Sequence, residues 1–270
     1  MDCTTADASP SAGDYCMVQQ RFEGQNLQYL KKGTSNAEQV TLSFWVKSNK
    51  TGTYVAQLED TDNNRGTSKS YTINSADTWE KKTITYSGDT TGAFNNDNGL
   101  SLVIEFWLGA GTDYTSGTLQ TSWGASTNAN RAVGQVNLAD NTANEWYITG
   151  VQLEAGQTAS EFEFLPVDVN LTRCERYFEK SYNLNDAPGS VTDAGERRNQ
   201  YNSDSSGNMT RTRNWKTRKR AAPTQTFYNG ATSGQVSYNR SGASGNSSVT
   251  IWGKHGENGM GAYAGVGASW

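Results

Sequence analysis

Two runs with a strict two-residue period limit what this chain can fold into. VTLSFWVKS (Val40 to Ser48) puts Val40, Leu42, Phe44 and Val46 on one side and Thr41, Ser43, Trp45 and Lys47 on the other. LSLVIEFWLG aligns Leu100, Leu102, Ile104, Phe106 and Leu108, and sets Glu105 and Trp107 opposite them. Successive strand side chains point to opposite faces, so each run reads as a strand with one buried side. TYVAQLED, KSYTINS, WEKKTITYS and WYITGVQLEAG are further short runs, each bounded by Gly, Asn, Asp or Ser. Strands at this spacing predict an all-β antiparallel sandwich. Aromatics at 11% and a net charge of only −4 set the chain apart from disordered ones, despite 28 Gly and 34% hydrophobic residues. The long Gly/Thr/Ser-rich stretch Gly109 to Gln135 reads as a loop covering one side or tip of the sandwich.

Charge divides the chain. Residues up to Asp168 hold 10 Lys+Arg against 20 Asp+Glu, whereas from Val169 onward the counts are 13 and 7. That change of sign predicts a boundary. Residues 1–14 are small and polar and read as a linker or frayed end. An acidic sandwich would span 15–168. A short helical connector, 169–182, would follow, within which NLTRCERYFEKS aligns Leu171, Cys174, Tyr177 and Phe178 behind Asn170 as a possible cap. Residues 183–270 read as a second, small, sandwich-like β domain. It has Leu184 and Ile251 as its only Leu and Ile, and so few aliphatics point to burial against neighbouring chains.

No apolar run is long enough to span a bilayer, and no basic-then-apolar leader opens the sequence. Membrane insertion is not expected. Cys3, Cys16 and Cys174 are too few for a disulfide framework and read as free thiols.

The segment ITGVQLEAGQTASEFEFLPVDVNLTRCERYFEKSY resembles a junction in bacteriophage virion proteins, notably tail fibres and other host-attachment appendages. The resemblance continues upstream through RFEGQNLQYLKKGTSNAEQVTLSFWVKS and SYTINSADTWEKKTITYSGDTTGAFNNDNG, and covers roughly Val18 to Tyr182. Beyond it only KRAAPT, Lys219 to Thr224, is similar to distal domains of the same proteins. The resemblance implies a jelly-roll sandwich like a carbohydrate-binding module. It also implies a helical turn leading to a distal β tip that is intertwined or packed in a homotrimer. A chain of this kind is made in the host bacterial cytoplasm and carried on the virion. It would meet other tail or capsid proteins through its N-terminal side and host surface polysaccharide through its binding surface. Tail fibres normally have an N-terminal anchor, yet almost nothing precedes Asp14, so a fragment and attachment through the jelly roll both stay open. The competing classes are a head fibre, decoration or adaptor protein, and a polysaccharide depolymerase.

Several residue groups carry possible chemistry. Sugar binding uses aromatic faces, and parity places Trp45 and Trp107 outward on their strands, where an uncovered Trp is uncommon. Trp123, in the long loop, joins them as a glycan-binding candidate. A covering loop or neighbouring chain would explain the two outward Trp equally well. Trp79 and Trp146 open strands and read as core. Six cations crowd RTRNWKTRKR; Arg211, Arg213, Lys216 and Arg218 are the candidates for an anionic glycan. A strand would set Arg211, Arg213 and Trp215 on one side and Lys216, Arg218 and Arg220 on the other. No nucleic-acid motif accompanies the run. Asp60 and Asp62, in the oxygen-rich loop LEDTDNNR, are a weak calcium candidate; the plainer reading is an Asx-rich hairpin turn. Carboxylate pairs suitable for a glycosidase occur at Glu59, Asp60 and Asp62, at Glu161 and Glu163, and at Asp140 and Glu145. None has a distinguishing context. His255 is the only histidine, so metal and His-based catalytic sites have little to draw on.

Overall fold

The computed structural model describes residues 1–190, 208–228, 235–240, 243–250 and 256–265. The chain divides into two compact units, Met1–Glu163 and Phe164–Trp270.

The first unit is an all-β sandwich. Its strands are β1 (Tyr15–Glu23), β2 (Val40–Ser48), β3 (Gly52–Asp60), β4 (Arg65–Ile73), β5 (Glu80–Tyr86) and β6 (Leu100–Ala110). A helical turn α1 (Thr112–Thr115), the short β7 (Gly124–Ala125) and β8 (Trp146–Ala155) complete it. One antiparallel sheet has the order β1-β6-β3-β4-β7, the other β5-β2-β8. The core lies between them. Val40, Leu42, Phe44 and Val46 of β2 face Leu102, Ile104, Phe106 and Leu108 of β6, as the two-residue period dictates. Phe44 meets Tyr71 and Phe106 edge-on, each at a centroid distance of 5.1 Å. Trp146 is core; Trp79 is not.

The long loop does cover one side. The outward face of β6 lies under residues of the 111–135 stretch, where Val55, Trp107 and Ala132 form a second small cluster. Outward polar groups on this sheet meet Arg131, whose guanidinium pairs with Glu105 at 2.7 Å and donates to Gln57 at 3.0 Å.

Residues 1–14 are not frayed. Met1 and Trp146 exchange backbone hydrogen bonds, each at 2.9 Å, Asp2 bridges Glu145, and Cys3 N–H donates to the Asn144 carbonyl. Further on, Gly111 donates to the Asp14 carbonyl. Small polar residues leave the backbone free to pair, and that pairing pins the segment. The three cysteines are free.

In the second unit α2 (Val167–Glu175) is followed by β9 (Asn208–Asn214), β10 (Gln235–Arg240), β11 (Ala243–Thr250) and β12 (Gly259–Gly265). The helix starts three residues before the anticipated Asn170. Pro166 holds the cap position, and Asn170 N–H already donates to the Pro166 carbonyl at 3.0 Å. Asp168 in the first turn and Arg173 in the last complement the helix dipole. The anticipated apolar face is open rather than packed: Tyr177 is 55% and Phe178 63% exposed. Among the described residues the four strands make a single antiparallel sheet, β10-β11-β12-β9, rather than two facing layers. No helix of the described residues is long and apolar enough to cross a membrane.

Candidate functional site: an aromatic shelf on the three-stranded sheet

The solvent face of β5-β2-β8 carries the site. Register aligns Trp45 with Lys81 on β5 and Thr149 on β8, and Lys47 with Tyr147. Trp79, two residues before Lys81, falls in the Lys47–Tyr147 row by strand period. Trp45, Trp79 and Tyr147 are 42%, 43% and 36% exposed. Trp79 and Tyr147 meet edge-to-face at 6.5 Å, and the Lys47 ammonium lies 4.6 Å from the Tyr147 ring centre and 5.8 Å from that of Trp79.

Local structure fixes each ring. Trp79 is held by the turn before β5. The Glu80 carboxylate accepts from the Asn74 and Ser75 backbone N–H groups, the Asn74 amide and Lys82, at 2.6–2.9 Å. The Lys82 hydrogen bond and those from the turn hold the Glu80 carboxyl at about 2, well below its ordinary value of 4.5. Tyr147 donates to Glu145 at 2.5 Å, and that bond pushes its hydroxyl up to about 12. Trp45 lies across Gly150, which sits at a β-bulge with φ +58. A Cβ there would stand 3.4 Å from Trp45 Cδ1 and 3.9 Å from Phe162.

The chain after β8 folds back over the other end of this face. Thr41 donates to the Gly156 carbonyl at 2.7 Å, Ser160 to Glu154 at 2.5 Å, and Glu163 N–H to Gln152 at 2.8 Å. The strap covers the Thr41 end and brings Phe162 to Gly150 beside Trp45, while Trp45, Trp79 and Tyr147 stay partly exposed.

The other sequence candidates lie elsewhere. Trp107 does point away from the core, as its parity requires, but it is 0% exposed. Tyr114 and Arg131 pack against its ring, and its N–H donates to Gln57 at 3.2 Å. It therefore has no open face for a sugar. Trp123 is half-buried against the core; its N–H donates to the Ser87 carbonyl at 2.8 Å, and Lys32 lies over its ring.

Asp60 and Asp62 do not form an open cation cage. Asp60 is fully buried, and its carboxylate takes the Lys32 ammonium at 2.5 Å and the Asp62 and Asn63 backbone N–H groups. Lys32 also reaches Asp89 at 3.1 Å and the carbonyls of Thr91 and Gly92. Arg65 grips Asp89 through two nitrogens, at 2.8 and 2.9 Å. Burial raises the Asp89 carboxyl, but its bonds to Arg65 and Lys32 outweigh that and leave it below the ordinary range. Asp62 is spent on Asn95, accepting from its backbone and side chain. An ammonium thus occupies the place a cation would take. Among the described residues no three His, Cys, Asp or Glu side chains converge as a metal site.

Three cations of the basic run pair within the second unit, of which only Lys219 is buried; Lys216 and Arg218 are exposed. β9 ends at Asn214, so Lys216 to Arg220 do not continue it as a strand. Lys216 pairs with Glu175 at 2.7 Å, and Arg218 with Glu257 at 2.5 Å. Lys219 and Glu179 form a buried pair at 2.9 Å. Arg211 and Arg213 take alternate positions on β9, opposite Ala262 and Met260. His255 lies outside the described residues.

The carboxylates around Glu59 and around Asp140 are likewise engaged, whereas Glu161 and Glu163 are exposed on the strap after β8. Asp140 is paired with Lys50, and Glu145 with the Tyr147 hydroxyl. Glu59 accepts from Gln57 at 2.8 Å; burial raises its carboxyl.

The sequence reading missed Tyr147, Lys47 and Trp79 as site members. Parity already set Lys47 beside Trp45, and Tyr147 follows the buried Trp146, so both were legible. Trp79 was legible as well: in WEKKTITYS it shares the parity of Lys81, Thr83 and Thr85, opposite Ile84 and Tyr86, but its place at the start of the strand led it to be read as core.

The fold class is thus an all-β sandwich with an open aromatic shelf. Comparison with protein-family models, curated proteins and solved structures finds no match for the chain.

Proposed function

We propose that this chain is a bacteriophage virion protein of the tail fibre or host-attachment apparatus, and that its sandwich adheres to host surface glycans. The observation that carries the reading is the open shelf of Trp45, Trp79 and Tyr147 with Lys47 among the rings. Sugar rings stack on aromatic faces through their C–H groups, and the Lys47 ammonium and Thr149 hydroxyl can fix hydroxyl or carboxylate substituents. Such a site holds each glycan weakly. The jelly-roll topology and the homotrimer that the sequence resemblance implies belong to this reading, because several weak sites on one particle raise avidity without new contacts.

Mixing the purified chain with host surface polysaccharide, and following binding and polymer length by light scattering, tests this. Binding at unchanged polymer length is the expected result. Shortening of the polymer would replace adhesion with depolymerisation, and no association would move the protein to a structural role on the particle. The same instrument gives the chain's own mass: about 88 kDa is expected of a trimer of 29.4 kDa chains, and a stable monomer would contradict it.

A further inference from the structure

Within the second unit, α2 leaves an apolar stripe unpacked. Val167 and Phe178 are 80% and 63% exposed, Cys174 is exposed and Leu171 is half-buried. The helical path runs past Glu175, because Phe178 N–H still donates to the Cys174 carbonyl at 3.1 Å. All four residues therefore share one helical path, at successive spacings of four, three and four. That is the a/d alternation of a coiled-coil seam, with Leu171 and Phe178 at a and Val167 and Cys174 at d. Short helices in proteins draw most of their stability from packing such a face. From residue 183 onward Leu184 and Ile251 are the only Leu and Ile, so this part of the chain has few apolar side chains to spare for solvent.

The residues beside the stripe indicate which partner fits. Asp168 and Glu175 take the e positions, and Asn170 and Tyr177 the g positions. In a parallel pair of copies each e position faces a g position of the neighbour, so both acids meet uncharged side chains. In an antiparallel pair e faces e, and the acids would meet one another at an electrostatic cost. Lys216 of the same chain pairs with Glu175 but not with Asp168. A seam of this spacing is also self-complementary, because identical helices in register set each layer against itself.

We propose that this stripe is the surface through which copies of the chain associate. The α2 helix packs parallel and in register against α2 of a second copy, with Leu171 on Leu171, Phe178 on Phe178 and Cys174 beside Cys174. The number of copies is taken from the homotrimer of the reading above; the surface and its direction follow from the spacing, exposure and flanking charge of the stripe.

The test uses the full chain and a short bismaleimide, which joins two thiols only when they lie close together. Cys174 is exposed, whereas Cys3 and Cys16 are partly buried. The wild type is expected to give a covalent dimer on a denaturing gel, at dilutions where Cys174→Ser gives none. Phe178→Asp puts a charge into the stripe at an exposed position, and circular dichroism checks that the chain stays folded. This variant should lose the crosslink and fall in light scattering to the mass of one chain, 29.4 kDa. Val167→Asp, at the other end of the stripe, should do the same and serves where Phe178→Asp misfolds. A crosslink or an oligomeric mass that survives in both folded variants would overturn the seam. An oligomeric wild type without a Cys174 crosslink would overturn the parallel seam and leave the homotrimer to another surface. A monomeric wild type would overturn the seam and the homotrimer together.

Discussion

Lys32 shows how one residue changes the meaning of its neighbours. In the sequence, the cluster Glu59, Asp60, Asp62, Asn63 and Asn64 reads most plainly as an Asx-rich hairpin turn, with a calcium site as the weaker alternative. The cation comes from a lysine 28 residues earlier, whose ammonium enters the buried cluster with Asp60 and Asp89. Local sequence around the loop has no way to record a partner that distant. Removing one member of a buried charge cluster strands the others, so Lys32→Met should cost about 3–5 kcal/mol in urea unfolding. Calcium or a chelator should leave the wild-type melting temperature unchanged, because the ammonium already holds the carboxylates. Gly150 makes a second residue-scale case. Its φ of +58 lies in the left-handed region, which a Cβ penalises, so Gly150→Ala should lower stability by about 1–2 kcal/mol. A loss much below that would mean that the bulge relaxes.

At the scale of elements, two-residue alternation was enough to place the core-facing sides of β2 and β6. It also gave the outward direction of Trp45 and Trp107. It could not separate them, because direction is local and cover is not: the 111–135 loop closes over Trp107, whereas the strap after β8 leaves Trp45 42% exposed. The N-terminal segment defied its composition for a similar reason, since backbone pairing to β8 asks nothing of side chains. The turn before β5 makes a pH prediction. Glu80 is held at about 2 against an ordinary 4.5, chiefly by Lys82 and then by the turn's N–H and amide donors. A depressed carboxyl stabilises above its unfolded value, so its contribution is intact above about 4.5 and lost as pH falls toward about 2. Trp79 fluorescence should change across that window while the sandwich stays folded. Glu80→Gln should flatten the change, and an unaltered transition in that variant would exclude the carboxylate as the cause.

Across the whole molecule, the charge balance changes sign at Asp168/Val169. The units part at Glu163/Phe164, a few residues before the expected boundary. The positive sign of the second half overstates its unpaired charge, because Lys216, Arg218 and Lys219 answer Glu175, Glu257 and Glu179 inside their own unit. Net charge counts cations and does not see which are already paired. Glu179→Ala should leave Lys219 buried beside Trp215 without its carboxylate and destabilise this unit by about 3–5 kcal/mol, read as an earlier transition in proteolysis or thermal melting. The central claim is that the glycan site is the exposed shelf rather than the buried aromatics or the basic run. Calorimetric titration of host surface polysaccharide into the wild type, Trp79→Ala and Lys216→Ala tests it most directly. The account predicts at least a tenfold loss of affinity for Trp79→Ala, about 1.4 kcal/mol, and no loss for Lys216→Ala. Full affinity in Trp79→Ala, with loss in Lys216→Ala, would contradict it and return the site to the second unit.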